Sequence, residues 1–327
     1  MHKKLNQSFL DLVSYLNDGQ YHDGNSLGDA LGVSRTAIWK MIKKLETYDI
    51  EVESIKGKGY QLKNPLMLLD SSRIASQLTC KSIKLDVFES INSTNQYLKD
   101  NNSQTAIHVC TAEQQTHGRG RLARKWHSPF GQNIYLSLAY RFKKDMSELM
   151  ALSIITSLAI RKTLANYDFL SEPMIKWPND IYYANKKISG NLIEIQAESN
   201  SDTRAIIGVG INVNMCNANQ DQIDQNWTSM QLNLGHAIDR TELCITLINQ
   251  LIDSLQYFEH AGDASFIEQW AQYDYLYNHN ISLIAFDKKI NGIARGINDM
   301  GHLLIEDTNH QIKSYAAGDA SLLRKRI

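Results

Sequence analysis

The chain has 327 residues, 43% hydrophobic and 21% charged, an ordinary globular composition with too much length for one average domain, so two or three domains are expected. Its 34 basic and 35 acidic residues leave a formal charge of -1, which excludes a generally polybasic nucleic-acid or membrane binder and requires any electrostatic partner to meet a local patch. Cys80, Cys110, Cys216 and Cys244 stand far apart with no metal-ligand or C-x-x-C spacing, and neither a signal peptide nor an apolar run of the roughly 20 residues a membrane helix needs is present, so a cytoplasmic protein with no membrane partner is expected.

In the first 64 residues Phe9, Leu10, Leu12, Val13 and Leu16 recur at helical spacing until Gly19. A second short helix is predicted around Ser26 to Leu31. After the Gly32-Val33 turn, Ser34 caps a third, Arg35 to about Tyr48, with Ile38, Met41, Ile42 and Leu45 inward. Helix, short turn, helix is a DNA-reading arrangement, and the outer face is expected to carry Ser34, Arg35, Thr36, Lys40, Lys43 and Lys44. Val52 to Leu62 alternates like a hairpin with Lys56 and Lys58 at its tip, a wing. With 9 basic against 8 acidic residues the segment is not basic overall, so a winged helix used for protein contacts is the competing reading. Asn64-Pro65 closes the module.

From 65 to 273 strands and helices mix. Leu85 to Phe88 reads as a strand, Ser90 to Asn95 leads into a short helix, and Ile107 to Ala112 and Asn133 to Tyr140 are strands joined by the loop GRGRLARKW, Gly118 to Trp126. Glycines let backbone N–H groups approach an anion and arginine forks bind phosphate oxygens in pairs, so this loop suits a phosphate, with a solvated basic loop or nucleic-acid patch as the alternative. Met146 to Leu164 is apolar at helical spacing. The motif KWPND, Lys176 to Asp180, is followed by Ile181 to Tyr183, a tight turn at Ala184 to Lys186, and KKISG, Lys186 to Gly190. Leu192 to Ile195 and Ala205 to Val213 are further strands, and Arg240 to His260 is a helix. Consecutive strands flanked by helices suggest an α+β sheet covered on one face. Neither Gly118-x-Gly120 nor Gly208-x-Gly210 completes a dinucleotide fingerprint, no P-loop exists, and G-x-S-x-G and H-E-x-x-H are absent.

Residues 274–327 hold four short predicted strands, Ile281 to Phe286, Lys289 to Ile297, His302 to Glu306 and Ile312 to Tyr315, with tight turns that suggest a small barrel. Arg324, Lys325 and Arg326 read as a solvated tail.

Taken together, SINSTN, QQTHGRGRLARKW, KWPND, KKISG and GVGIN, in this order, closely resemble the biotin protein ligases, specifically the bifunctional bacterial kind that doubles as the biotin operon repressor. The resemblance spans essentially the whole chain. It implies a multidomain α+β protein: a winged helix-turn-helix DNA-binding domain (1–64), a mixed-sheet ligase domain (65–273) and a C-terminal SH3-like barrel (274–327). It further implies that biotin and ATP form biotinyl-5′-adenylate with release of pyrophosphate, and that biotin passes to a lysine of a biotin carboxyl carrier domain of acetyl-CoA carboxylase. The adenylate-bound chain would form a homodimer on operator DNA.

Carried over by position, Ser93, Thr94, Asn95 and Gln115 fall in the biotin pocket, with Gly118, Arg119 and Gly120 beside them. Arg121 and Arg124 meet phosphates, Trp126 packs on the nucleotide, and Asn179 and Asn212 lie near it. Lys187 stands between the biotin carboxylate and the α-phosphate. Lys187, Arg121 and Arg119 are then the catalytic set, a fitting one because carboxylate attack on phosphorus brings two anions together. Taken alone, Lys187 would read as an exposed hairpin lysine. Mg²⁺ bridging phosphates follows from the chemistry, with Asp180 as a metal-site candidate or, equally, a capping aspartate. Trp227 reads as adenine-side wall or plain core. Three departures bear on loop closure and pocket shape: Ala123 where relatives have glycine, His117 for a small residue, and Asn191 for an apolar one. A non-catalytic biotin sensor and a lipoate-type ligase are the rival readings.

Overall fold

The computed structural model describes residues 3–4, 6–197, 203–218, 223, 225–285, 288–316 and 318–323. Its N-terminal part has the three predicted helices, each begun by a side-chain cap. Asn6 accepts from Ser8 N–H at 2.9 Å ahead of Gln7–Leu16, Asp23 from Asn25 N–H at 2.8 Å ahead of Gly24–Leu31, and Ser34 from Ala37 N–H at 3.2 Å ahead of Arg35–Glu46. Each such cap satisfies a backbone donor at the helix start, about 1 kcal/mol of stability. The turn is tight because Gly32 takes φ +64 and because Gly28 lets Val33 carbonyl approach where a Cβ would stand 2.7 Å away. Strands Val52–Ile55 and Gly59–Leu62 pair antiparallel as the wing. The second helix begins two residues before, and the third ends two residues before, the predicted points.

Eight strands form the central sheet, in the order Lys3–Lys4, Ile83–Ser90, Ile107–Ala112, Ile134–Phe142, Thr203–Ile211, Lys186–Ala197, Asp180–Tyr183, Met174–Lys176. Neighbours run antiparallel except Ile83–Ser90 beside Ile107–Ala112, which are parallel because helix Thr94–Asp100 crosses between them. Helices Leu152–Leu164, Arg240–Ala261 and Ala264–Tyr273 cover one face over a large apolar core. The opposite face is not bare: Thr94–Asp100 lies on it, with Leu98 packed on Phe88, Cys110 and Ile206. The predicted helix from Met146 divides into a single 3-10 turn, Met146–Leu149, and the helix from Leu152. KKISG and the following apolar run are one twelve-residue strand. Ser71–Gln77 is a helix the apolar pattern does not announce.

The N-terminal head is fastened to the sheet. Lys3–Lys4 adds an edge strand beside Phe88 and Ser90. Phe130, from the ligase domain, enters the core of the head, stacked on Tyr48 at 4.1 Å and edge-on to Phe9 at 6.3 Å. Lys44 corrects its sequence placement: its ammonium sits 4.5 Å over the Phe9 ring and pairs with Glu89 of the sheet, which Tyr48 hydroxyl also reaches. Glu89 is 1% exposed, so its charge needs such partners, and they turn Lys44 away from the outer face.

The C-terminal segment is a five-stranded antiparallel sheet in the order Ile312–Tyr315, Leu303–Glu306, Lys288–Ile297, Asn280–Ala285, Asp319–Leu322. The fifth strand is additional to the four predicted. Phe286, the turn residue Asp287 and the Arg324, Lys325 and Arg326 tail lie outside the described residues. Trp177 indole N–H donates to Gly301 carbonyl at 3.0 Å and ties this sheet to the KWPND turn.

Candidate functional site

A cleft of about 960 Å³, its open mouth included, lies over strands Ile134–Phe142, Thr203–Ile211, Lys186–Ala197 and Asp180–Tyr183 of the central sheet and brings most of the predicted residues together. One wall is polar and closely hydrogen-bonded. Ser93 caps helix Thr94–Asp100, and Gln115 carbonyl oxygen accepts from Thr94 N–H at 2.9 Å and lies 3.1 Å from Thr94 hydroxyl. Ser137 hydroxyl lies 2.6 Å from both Thr94 hydroxyl and Asn95 Oδ1. Asn95 amide N–H donates to Glu194 at 2.9 Å. Ser93, Thr94, Asn95 and Ser137 are all buried, and Gly208 has to be glycine because a Cβ there would collide with the Asn95 amide. This is a rigid set of hydroxyls and amides suited to a small polar ring.

Gly118 to Trp126 forms the facing wall. Trp126 N–H to Gly118 carbonyl (2.9 Å), Gly120 N–H to Arg124 carbonyl (2.8 Å) and a bridge between Arg119 and Lys125 close it into a narrow hairpin. At its tip Leu122 and Ala123 take φ +53 and +57, a left-handed conformation that costs a non-glycine residue about 1–2 kcal/mol. Ala123 therefore adopts the positive φ at which alanine is disfavoured. Leu122 is 70% exposed. Each arginine of the loop has a partner outside it. Arg119 reaches Gln96 (3.2 Å) and Glu194 (3.4 Å), Arg121 reaches Asn179 Oδ1 (3.4 Å), and Arg124 pairs with Asp319 of the C-terminal sheet (2.5 Å).

Lys187 is at the centre. Its Nζ is 2.8 Å from Asp180 Oδ1 and 5.4 Å from the Trp126 ring centroid, and its backbone is pinned by Asn226 carbonyl (3.0 Å) and Thr228 N–H (2.8 Å). Gly190 leaves room for this ion pair, since a Cβ would stand 3.0 Å from Asp180 Oδ1 and 3.1 Å from Lys187 Cε. Trp126 lies on Gly210, where any Cβ would strike the indole. The glycines of GVGIN are thus places where side chains from elsewhere meet the sheet. Burial lowers the proton affinity of Arg121 while Asp180 and Asp319 raise it; arginine stays charged, and a half-desolvated guanidinium exerts a stronger field.

Beyond Trp126 a smaller cavity of about 400 Å³ continues between Trp126 and Trp227, with Lys187, Asn212 and Gln225 on its walls. Asn212 amide donates to Thr228 carbonyl at 3.0 Å, so this residue braces the cavity. Lys187 borders both cavities. Asp180, the metal candidate, is engaged by Lys187, and among the described residues no three His, Cys, Asp or Glu side chains converge to hold a metal.

Two departures become intelligible. Asn191 is 3% exposed, but Ser153 hydroxyl donates to its Oδ1 (3.0 Å) while its amide donates to Ser157 hydroxyl (2.8 Å), so helix Leu152–Leu164 supplies the polar partners that an apolar residue would not need. His117 is exposed and outside the cleft. Of the head residues, Ser34, Arg35, Thr36, Lys40, Lys43, Lys56 and Lys58 are exposed; Lys43 pairs with Glu46 at 2.8 Å, and Ser34 serves as the cap. Sequence reasoning missed Ser137, Glu194, Lys176 and Asp319. Ser137, a lone hydroxyl inside a buried apolar strand, is the one whose pattern offered a signal.

Comparison with known proteins gives the following. The model of the biotin/lipoate A/B protein ligase family matches residues 87–212, a helix-turn-helix domain matches 10–61 and the biotin protein ligase C-terminal domain matches 279–323. The bifunctional ligase/repressor BirA of Salmonella typhimurium is 38% identical over 314 residues, 96% of this chain and 97% of its own length. That of Bacillus subtilis is 32% identical over 98% of this chain and 100% of its own. The structure of the biotin protein ligase from Aquifex aeolicus in complex with biotin and ATP superposes with a TM-score of 0.62 at 27% identity, covering 74% of this chain and 99% of that one. Among the described residues no helix is long and apolar enough to cross a membrane.

Proposed function

The chain belongs to the bifunctional biotin ligase/repressor family, and on that premise we propose how its residues share the work. Biotin lies against the polar wall of Ser93, Thr94, Asn95 and Gln115. ATP enters with its adenine between Trp126 and Trp227, and Mg²⁺ arrives on the triphosphate as part of the substrate. A biotin carboxylate oxygen attacks the α-phosphorus, the bond to the β-phosphate oxygen breaks, and pyrophosphate leaves. The observation that carries this reading is that Lys187 borders both cavities, with Arg121 on the larger one, which supplies two cations for a reaction that brings two anions together. An acceptor lysine amine then attacks the acyl carbon, loses a proton, and AMP leaves. The lysine belongs to a biotin carboxyl carrier domain of acetyl-CoA carboxylase, and the reaction takes place in the cytoplasm.

Regulation uses the other end of the chain. Arg35, Thr36 and Lys40 on the exposed face, with Lys56 and Lys58 on the wing, contact operator DNA. The adenylate orders the basic loop and favours a homodimer. A free sheet edge supports this: Lys186–Gly190 pairs with Asp180–Tyr183, but beyond Asn191 the long strand has Thr203–Ile211 on one side and, among the described residues, no strand on the other. Dimeric binding implies two spaced half-sites.

The test is to incubate the protein with Mg·ATP, biotin or lipoate, and a biotin acceptor domain, following pyrophosphate and acceptor mass. Pyrophosphate and a biotin-sized mass gain with biotin alone are expected. No adenylate from biotin would sink the ligase reading, and turnover with lipoate would replace the substrate. Arg35→Ala is expected to weaken operator binding while ligation continues.

A further inference from the structure

Glu194 stands behind the polar wall without facing the cleft mouth, and three partners meet on its carboxylate. Asn95 amide N–H and Lys99 ammonium each donate at 2.9 Å and Arg119 at 3.4 Å. These come from three separate pieces: helix Thr94–Asp100 supplies two, the basic loop the third, and Glu194 itself is on strand Lys186–Ala197. Burial alone would push the carboxyl's pKa up; the bonds from Lys99 and Asn95 and the nearby Arg119 reverse that and hold it below the usual range. The carboxylate is therefore ionised at neutral pH and only accepts hydrogen bonds.

That restriction has consequences along the wall. An asparagine amide can sit either way round, but a carboxylate at 2.9 Å, with Leu192 carbonyl a longer second acceptor at 3.4 Å, turns its NH₂ toward Glu194 and its oxygen toward Ser137. Ser137 then gives its proton to Asn95 Oδ1 and is left to accept from Thr94 hydroxyl, 2.6 Å away, while Thr94 N–H donates to Gln115 Oε1. The Gln115 amide is fixed separately, by the Thr94 N–H on its oxygen, and its NH₂ end faces Ser128 hydroxyl at 3.4 Å. On the other side of the carboxylate Arg119 is anchored, fixing the root of the loop.

Resting on the biotin ligase reading, we propose that Glu194 is a positioning residue for biotin: it holds the sense of the Asn95 amide and, through it, of the Ser137 hydroxyl, and it secures Arg119 at the pocket rim. It acts through Asn95 and Arg119, so its effect falls on biotin rather than on ATP or the phosphoryl step.

Glu194→Gln keeps the size but supplies an amide that both donates and accepts, releasing the forced sense. The expected result is a rise of about 10-fold in KM for biotin, equivalent to about 1.4 kcal/mol. The kcat and the KM for ATP stay within about twofold, as for loss of a binding interaction confined to one substrate. Biotin titration by calorimetry on the intact chain, without ATP, is expected to show the same loss of affinity. Glu194→Asp, which keeps the carboxylate, recovers part of it. Lys99→Met removes a partner that helps keep the carboxylate ionised without touching the pocket, and it is expected to raise KM for biotin less than Glu194→Gln does. An unchanged KM in Glu194→Gln, an equal rise for biotin and ATP, or a Lys99→Met defect equal to that of Glu194→Gln would overturn the positioning role. Wild-type protein that releases no pyrophosphate overturns the ligase reading and this role with it; normal wild-type turnover beside an unaltered Glu194→Gln overturns this role alone.

Discussion

The two walls of the cleft are built on opposite principles. Ser93, Thr94, Asn95, Gln115 and Ser137 come from a capped helix and two sheet strands or their ends and are mostly buried; Ser93 caps the helix, and the other four bond one another at 2.6–3.1 Å. Gly118 to Trp126 is a hairpin with two left-handed non-glycine residues at its tip and an exposed leucine between its arginines. One wall is finished before any substrate arrives; the other holds its cations on stand-in partners, Asn179 and Asp319, that a phosphate can replace. The contrast teaches where binding energy goes: the small neutral ring meets a preformed site, whereas the triphosphate must spend affinity on organising its own.

The comparison can be sharpened by removing one element at a time. The largest effect is expected at the junction: Lys187→Ala should slow adenylate formation about 100-fold or more, the usual cost of one donor at a developing charge, with a smaller loss of biotin affinity by calorimetry because its carboxylate loses a partner. On the preformed wall, Ser137→Ala removes a hydroxyl from a buried network, and a loss of roughly 10-fold in biotin affinity is expected, with pyrophosphate release at saturating biotin nearly unchanged. On the loop, Ala123→Gly relieves a left-handed alanine, and by the roughly 1 kcal/mol involved KM for ATP should fall up to about fivefold; a rise would show that the closed hairpin is not the nucleotide-binding form.

The smallest effect concerns the brace behind the preformed wall. Tyr97, on the same helix as Asn95, and His108 both bond Asp86, at 3.0 and 2.8 Å. Burial is the main cause holding His108 below its usual pKa of 6.5, against the pull of Asp86. The folded protein therefore binds fewer protons here than the unfolded chain, and this contribution to stability is fully present above pH 6.5 and lost as pH falls through the folded value. Thermal melts from pH 7.5 to 5.5 should show a decline that His108→Gln flattens.

Periodicity and caps made the winged helix legible almost to the residue, since Phe9, Leu12, Ile38 and Leu45 need only a local face to bury. The site was legible as motifs, because loop and turn chemistry is written in consecutive residues. What escaped was long-range. Glu194 reads as one polar residue of an alternating strand until the fold sets Asn95 and Arg119 beside it. Asp319 acts from a strand 195 residues beyond Arg124. Lys44 has the same helical surroundings as Lys43, and only the docking of the head on Glu89 separates their roles. Asn191 looked out of place for the same reason, its partners Ser153 and Ser157 being 38 and 34 residues away.

Phe130 sits four residues past Trp126, yet its ring is part of the head's own core. Swinging the head away would strip that ring of its neighbours, and exposing a buried phenylalanine costs about 1.5–3 kcal/mol, a population penalty of roughly 10- to 100-fold. The head is thus less a weight on a string than the jaw of a caliper. The ring acts together with the Lys3–Lys4 edge strand and the Lys44 and Tyr48 contacts on Glu89, so the angle at which helix Arg35–Glu46 is held rests on all three.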